Sequence, residues 1–227
     1  MTTTTTASGT ATLRTIEDLR GPAGKLETLL NAGSAHAPYA ALVCHPHPLG
    51  GGTMHNKVVY HTMKALQSFG LPVLRFNFRG TGLSEGTHDN GNGEQDDVRA
   101  ALDWLEREFH LPILSAGFSF GAAMNLSVSC DNPRVKGIIA LGLPTHAEGR
   151  DYHYRFLPSC SQPKLFISGT RDQYGPHKQL EAIFLSAAQP AEIVWIEGAE
   201  HFFAGKLDEV QLAIRDWVQT HFIPNPS

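Results

Sequence analysis

Between Tyr39 and the C-terminus, short apolar runs alternate with segments of helical periodicity, and this alternation restricts the fold more than any other feature of the chain. The first run, 39–44, is apolar throughout, which is typical of a strand covered on both faces. Strands that alternate with helices predict a mostly parallel sheet with helices on both faces. The predicted strands are 39–44, 72–78, 112–118, 137–143, 164–168 and 192–196. The predicted helices are 55–69, 94–109, 120–129, 177–188 and 207–221.

The N-terminal part follows a different pattern. Segments 12–19 and 25–30 flank Gly21-Pro22-Ala23-Gly24, which predicts an antiparallel hairpin. Residues 1–11 are rich in threonine and are predicted to be a disordered tail. A length of 227 residues suits one domain, predicted over 12–227. The one long connection, 144–162, is too short to be a cap domain.

Charge and cysteine content exclude several classes of protein. The 18 basic and 22 acidic side chains give a formal net charge of −4, so no basic surface is expected for nucleic acid or an anionic membrane. No uninterrupted apolar run approaches the roughly 18 residues that suggest a membrane span. The three cysteines lack Cys-x-x-Cys spacing, which predicts reduced thiols and, with an N-terminus unlike a secretory signal, a cytoplasmic location. Nothing in the sequence indicates an oligomeric state.

The pentapeptide Gly117-Phe118-Ser119-Phe120-Gly121 lies between a predicted strand and a predicted helix. This context fits the Gly-x-Ser-x-Gly nucleophile elbow, in which a tight turn lifts a serine hydroxyl above the sheet. The serine occupies a strained backbone position, and bulk two residues to either side would clash with neighbouring elements. The pattern therefore predicts that Ser119 is a nucleophile.

A serine needs a base, and the base needs an acid that orients it. Asp172 follows the predicted strand 164–168, and His201 follows the last predicted strand, 192–196. The chain order Ser, Asp, His is the order found in hydrolases with a nucleophile elbow. All three side chains are expected at the carboxyl edge of the sheet, where open α/β sheets bind ligands.

Four parts of the chain together resemble the α/β-hydrolase superfamily, and more narrowly its small, cap-less bacterial members with a His-Pro-His-Pro-Leu loop. The resemblance runs from about residue 12 to the C-terminus. The parts are the segment 45–54 (HPHPLGGGTM), the segment 75–84 (RFNFRGTGLS), the elbow, and the loops that carry Asp172 and His201. The resemblance implies an α/β-hydrolase fold in which Ser119 is the nucleophile, His201 the general base and acid, and Asp172 the orienting carboxylate.

Such an enzyme also needs two N–H donors for the tetrahedral oxyanion. One is expected to be the backbone N–H of Phe120, the residue after the nucleophile. The other is expected from the loop after strand 39–44, where Pro46 and Pro48 have no N–H. Many relatives begin this loop with His-Gly and use the next residue, a match that selects His47 and leaves Leu49 as the alternate.

Three other patterns in the sequence favour non-catalytic interpretations. His45 and His47 form a His-x-His pair, yet the surrounding His55, His61, His88 and Asp89 show no coherent ligand spacing, so no metal is predicted. The stretch 89–97 lacks the spacing of a calcium loop and is interpreted as a mobile loop followed by acids at a helix N-terminus. The segment 79–82 is not a phosphate-binding loop, so no cofactor is predicted.

The leading hypothesis is a serine hydrolase that cleaves a small ester or related small-molecule acyl substrate through an acyl-enzyme. A thioesterase or peptidase with the same triad, a metal-dependent hydrolase using His45 and His47, and a non-catalytic interaction module on a hydrolase scaffold are the alternatives. The side chains predicted to line the substrate site are apolar and lie at strand ends or in the following loops. They are Leu49, Leu143, Pro144, Tyr174, Phe202 and Phe203.

Overall fold

The computed structural model describes residues 12–147 and 149–223, so the predicted tail over 1–11 lies outside the described residues. The strands are β1 (Leu13–Arg14), β2 (Arg20–Gly21), β3 (Gly24–Lys25), β4 (Thr28–Asn31), β5 (Ala40–Cys44), β6 (Val73–Phe76), β7 (Ile113–Phe118), β8 (Val135–Leu141), β9 (His146–Ala147), β10 (Arg150–Asp151), β11 (Lys164–Gly169) and β12 (Ala191–Ile196). The α-helices are α1 (Lys57–Gln67), α2 (Gly93–Phe109), α3 (Phe120–Ser129), α4 (His177–Ser186) and α5 (Leu207–His221).

Eight strands form one sheet in the order β1-β4-β6-β5-β7-β8-β11-β12. The six strands from β6 to β12 run parallel, whereas β4 pairs antiparallel with both β1 and β6. Every residue of β5 and β7 is buried, and the uniformly apolar sequence of β5 predicts this. The predicted α/β-hydrolase fold with a mostly parallel central sheet is confirmed.

Helices cover both faces of the sheet. Ala41 and Val43 of β5 belong to the apolar cluster that contains the buried faces of α1 and α5. Leu42, on the opposite face of the same strand, belongs to the cluster that contains α2, α3 and α4. This alternation follows from the two-residue period of a strand, because successive side chains point to opposite faces.

The N-terminal hairpin is also confirmed. Its two arms pair through β2 and β3 next to the turn and through β1 and β4 further out. The N–H of Leu26 donates to Leu19 O at 3.0 Å between the two ladders. Through β4 the hairpin extends the sheet beyond β6.

The described residues between β8 and β11 contain the short β9–β10 ladder and the 3₁₀ turn Leu157–Ser159, and these form no cap over the sheet. No helix within the described ranges is long and apolar enough to cross a membrane.

The prediction of reduced thiols is wrong for two of the three cysteines. Cys130, at the end of α3, forms a disulfide with Cys160, which precedes β11. The two are 30 residues apart in the chain, and the fold brings their Cα atoms to 4.9 Å. Their proximity comes from tertiary packing that spacing does not reveal, so cysteine usage no longer supports a reducing compartment. Cys44 is a buried free thiol, and its burial raises its pKa.

The prediction of acids at a helix N-terminus within 89–97 is confirmed, because Glu94 and Asp96 lie in the first turn of α2, and the mobility of the preceding loop stays a prediction. Glu94 and Asp97 are fully buried. Asp97 accepts hydrogen bonds from the backbone N–H, Nε and Nη2 of Arg79 at 2.7 to 3.0 Å. Burial raises the pKa of Asp97, while its hydrogen bonds raise the pKa of the Arg79 guanidinium. Arg79 therefore connects the segment after β6 to α2.

His45 holds the start of the loop after β5 against the segment after β6. Its Nε2 accepts the N–H of Phe78 at 2.9 Å, so the proton is on Nδ1, which donates to Pro46 O at 2.7 Å. The ring is completely buried, and burial lowers the pKa of His45 to about 3. The imidazole is therefore neutral in the folded protein, and both of its nitrogens are engaged by backbone.

This burial predicts a specific loss of stability in mild acid. Unfolded His45 takes up a proton below about pH 6.5, whereas folded His45 stays neutral down to about pH 3. The free energy of unfolding therefore falls as pH drops below 6.5, with a contribution of about 1.4 kcal/mol per pH unit from this one group. His45→Gln, whose amide oxygen can still accept the Phe78 N–H, is expected to be less stable at pH 7.5 and to lose about 2 kcal/mol less than the wild type on going to pH 5.0.

Urea unfolding followed by tryptophan fluorescence at the two pH values measures this difference. His36→Gln removes an exposed histidine and should parallel the wild type. Equal acid losses in His45→Gln and the wild type would contradict the assignment of a neutral buried imidazole.

Candidate active site

Ser119 lies at the turn between β7 and α3 with φ +57° and ψ −122°, a conformation that L-residues rarely adopt. Its N–H donates to Leu141 O of the neighbouring strand β8 at 2.9 Å. A Cβ on Gly117 would lie 2.3 Å from Gly121 O, and a Cβ on Gly121 would lie 2.3 Å from His45 O. Both glycines are required because backbone atoms occupy the space that a side chain would need.

Ser119, His201 and Asp172 are joined by hydrogen bonds. His201 Nε2 lies 2.8 Å from Ser119 Oγ, and His201 Nδ1 lies 2.8 Å from Asp172 Oδ2 and 3.0 Å from Oδ1. The three residues follow β7, β12 and β11 respectively, so the parallel sheet brings its strand ends together as the sequence predicts. Their exposed fractions are 6% for Ser119, 3% for His201 and 4% for Asp172, so all three are buried, and Ser119 and His201 line a cavity.

The loop that carries Asp172 fixes its carboxylate. Oδ1 accepts the N–H groups of Tyr174 at 2.8 Å and Gly175 at 3.1 Å. These bonds orient the carboxylate. The carboxylate in turn favours the His201 tautomer that carries its proton on Nδ1 and leaves Nε2 free to accept from Ser119.

Aromatic rings surround the imidazole of His201. The ring of Tyr174 contacts it edge-on with a centroid distance of 4.6 Å, and those of Phe118 and Phe202 lie at 5.0 and 5.2 Å. These contacts limit rotation of the imidazole and exclude water from its faces. The aspartate, the backbone and the rings together leave His201 one orientation, toward Ser119.

The loop after β5 forms the opposite wall. His47 precedes the 3₁₀ turn Pro48–Gly50, and its carbonyl accepts the N–H groups of Gly50 at 3.1 Å and Gly52 at 2.9 Å. The ring of His47 contacts the ring of Phe120 at 4.9 Å. The structure thus brings together the two residues expected to supply oxyanion donors.

These elements enclose an open cavity of about 100 Å³ above Ser119. Two of the predicted lining residues, Tyr174 and Phe202, lie in its wall together with His47 and His201. The remaining lining residues, which sequence reasoning missed, are Pro46, Gly50, Gly51, Gly52, Asn56 and Ala147. The glycines at 50–52 could have been predicted to line the cavity, because glycines permit close approach of a ligand to backbone. Asn56 and Ala147 carry no such signal.

The structure places the other four predicted lining residues outside the cavity wall. Leu143 and Phe203 are fully buried in the two apolar clusters, since the chain turns inward at both positions. Pro144 is buried, and its carbonyl accepts the Tyr154 hydroxyl at 2.6 Å. Leu49 is 73% exposed because the 3₁₀ turn directs its side chain into solvent.

The His-x-His pair is not arranged as a metal site. Both nitrogens of His45 bond to backbone, so neither has a lone pair to offer an ion. Within residues 12–147 and 149–223, no group of three or more His, Cys, Asp and Glu side chains is disposed to hold a metal.

Comparison with known proteins identifies the family of the chain. Residues 40–213 match the family model described as an alpha/beta hydrolase domain. A solved structure described as an alpha-beta serine hydrolase homologue from Coxiella burnetii shares 37% identity and a TM-score of 0.82, and the match covers 94% of this chain and 100% of that one. A serine hydrolase without a lid from Xanthomonas campestris shares 31% identity and a TM-score of 0.81, with 95% of this chain and 97% of that one covered.

Among curated sequences, an uncharacterized protein of Rickettsia prowazekii is 37% identical over 208 residues, which is 88% of this chain and 87% of the relative. The family match, the extent of these relatives and the parallel sheet with its serine at a strand–helix turn lead to one conclusion: the chain belongs to the alpha/beta hydrolase family.

Proposed function

We propose that the protein is a serine hydrolase that cleaves a small ester through an acyl-enzyme, with Ser119 as nucleophile, His201 as general base and acid, and Asp172 as the orienting carboxylate. The observation that carries this proposal is the continuous hydrogen-bonded path from Ser119 Oγ through His201 to Asp172. The Coxiella and Xanthomonas relatives, described as a serine hydrolase homologue and a serine hydrolase, support it.

The geometry defines the proton path. Ser119 Oγ–H donates to His201 Nε2, so attack of Oγ on the substrate carbonyl passes the proton to the imidazole. Asp172 stabilises the imidazolium without taking its proton. His201 then protonates the leaving alcohol as the acyl–oxygen bond breaks. A water molecule, deprotonated by the same imidazole, attacks the acyl-enzyme and releases the acid and free Ser119.

In this proposal the oxyanion of the tetrahedral intermediate accepts two backbone N–H groups. Phe120 is the first residue of α3, and the first N–H groups of a helix have no intrahelical acceptor. His47, in the loop after β5, contacts the ring of Phe120 and is the second donor in this proposal, with Leu49 as the alternate. The positive end of the α3 dipole adds to the stabilisation of negative charge beside Ser119.

Cavity size supports a small acyl group. At about 100 Å³ the cavity is small beside the roughly 300–1,000 Å³ of pockets that bind drug-sized ligands. An acetyl or propionyl group fits that space, whereas a long acyl chain would have to leave the cavity and run over the surface. We therefore place the reactive ester of a short acyl compound at Ser119.

Labelling with a fluorophosphonate tests the nucleophile. The wild type is expected to react at Ser119, Ser119→Ala to give no adduct, and His201→Ala to react roughly 10³-fold more slowly because its serine keeps its proton. Peptide mass mapping locates the adduct, and circular dichroism checks the fold of each variant.

Ser115→Ala is the matched control. Ser115 is a buried serine of β7, and its hydroxyl bonds to Ser129 and not to His201. It should be labelled like the wild type. A folded wild type that is not labelled, or a Ser119→Ala variant labelled at the wild-type rate, would overturn the proposal.

Proline substitution tests the second oxyanion donor. His47 has φ −53°, a value that proline also adopts, so His47→Pro removes the N–H with little change in backbone conformation. His47→Ala removes the imidazole and keeps the N–H. Loss of an oxyanion donor lowers kcat by about 10²–10³-fold, so we expect His47→Pro to fall that far below His47→Ala on a p-nitrophenyl ester.

Leu49→Pro removes the alternate donor and is expected to keep kcat close to the wild-type value. Thermal unfolding of all three variants separates a local change from loss of fold. The reverse pattern, a large loss of kcat in Leu49→Pro and none in His47→Pro relative to His47→Ala, would assign the donor to Leu49.

A further inference from the structure

Three rings from three separate parts of the chain contact one another beside the cavity. His47 comes from the loop after β5, Phe120 from the start of α3, and His88 from the loop before α2. The ring centroids of His47 and Phe120 lie 4.9 Å apart, those of His47 and His88 lie 5.0 Å apart, and those of His88 and Phe120 lie 5.7 Å apart. We call these three residues the ring cluster. Each of its rings contacts the other two.

His88 is the member of the ring cluster that has no place in the proposed reaction. It is not among the residues that line the cavity over Ser119, and its side chain is only 9% exposed. Its Nδ1 lies 2.8 Å from Oε1 of Glu94, the second residue of α2. The ring of His88 therefore contacts the rings of His47 and Phe120, and its Nδ1 faces the carboxylate of Glu94.

Glu94 is itself firmly held. It is completely buried, its Oε1 accepts the N–H of Asp89 at 2.8 Å, and its Oε2 accepts the N–H of Gly91 at 2.7 Å. A buried carboxylate that lost these donors would be strongly destabilised, so the contacts persist in the folded state. A fixed carboxylate from the first turn of α2 thus lies 2.8 Å from the imidazole of His88.

We propose that His88, held by Glu94, is a positioning residue of the oxyanion hole: it sets the separation between the loop of His47 and the start of α3. The proposal rests on the serine hydrolase function given above. Oxyanion donors are effective at 2.7–3.1 Å from the developing charge, and a displacement of about 1 Å costs on the order of 100-fold in rate. Without the His88 ring, the loop of His47 loses one of its two ring contacts in the cluster and moves relative to Phe120.

The experiment compares four variants with the wild type. His88→Ala removes both the ring and the nitrogen that faces Glu94, His88→Phe keeps a ring, and Glu94→Gln weakens the anchor. His61→Ala is the matched control, because His61 is a part-buried histidine bonded to Gln211 between α1 and α5, away from the ring cluster. For each variant we would measure kcat and KM on a p-nitrophenyl ester per fluorophosphonate-titrated site. The inhibition constant of an arylboronic acid, which forms a tetrahedral adduct with serine, and the Tm complete the set.

His88→Ala is expected to lower kcat by 10- to 100-fold, to change KM less than twofold, and to raise the inhibition constant of the boronic acid by the same factor as kcat falls. His88→Phe should recover part of that loss, and Glu94→Gln should show a smaller loss of the same kind. His61→Ala should lower Tm and leave kcat unchanged. A purely structural role would lower Tm or the fraction of active sites without changing kcat per site.

Wild-type kcat and boronic acid affinity in both His88→Ala and Glu94→Gln would overturn the positioning role. If His88→Ala does not fold, His88→Phe and Glu94→Gln decide the question by the same two readouts. A wild type that is not labelled at Ser119 would remove the serine mechanism itself, and with it the oxyanion hole that His88 is proposed to position. A labelled wild type with unaffected variants would remove the positioning role alone.

Discussion

The backbone at Ser119 is the constraint on which the rest of the site depends. A non-glycine residue with positive φ and extended ψ carries a strain of about 1–3 kcal/mol and persists only where its surroundings enforce it. Here β8 holds the N–H of Ser119 through Leu141 O, and the end of β5 packs against the backbone of Gly121. The two strands that flank β7 thus enforce the turn, and the turn aims the hydroxyl at His201. A parallel sheet supplies both neighbours with their carboxyl ends at the same edge.

The same edge also contains buried polar groups that bond to backbone. His45 is neutral, completely buried and bonded to backbone through both nitrogens, so it fixes the end of β5 without adding charge beside the cavity. Two carboxyl groups also lie in the interior. Asp97 accepts the N–H of Arg79 and pairs with its guanidinium, whereas Glu94 accepts two backbone N–H groups and lies 2.8 Å from His88 Nδ1. Such networks favour a single conformation of the chain, because any other conformation would leave a buried polar atom without a partner. They give the loops after β5 and β6 one arrangement.

How far the sequence predicted this structure depends on the range of the interaction. Elements set by local periodicity were predicted closely: the helix expected over 94–109 spans Gly93–Phe109, and the strand expected over 112–118 spans Ile113–Phe118. The elbow and the positions of Asp172 and His201 were predictable because strand ends in a parallel sheet meet at one edge. The Cys130–Cys160 disulfide and the burial of Glu94 were not, since they depend on contacts between elements far apart in the chain. Leu143 and Phe203 were misplaced for a related reason: sequence shows that a residue follows a strand, but not whether the chain then turns inward.

The disulfide acquires a structural meaning from where its two ends lie. Helix α3 begins directly after Ser119 and ends at Cys130, while β11 begins just after Cys160 and leads to the loop of Asp172. Beside this covalent link, the buried ammonium of Lys164 donates to Cys160 O at 2.8 Å and to Ala188 O at 2.7 Å, and burial lowers the pKa of Lys164. The elements that carry the nucleophile and the orienting acid are therefore fixed to each other at their far ends, about 15 Å from Ser119 by the rise of a ten-residue helix. Hydrogen bonds through His201 fix them at the near ends, so the hydroxyl, imidazole and carboxylate are held between two anchored points, which limits the reorganisation required on the way to a transition state.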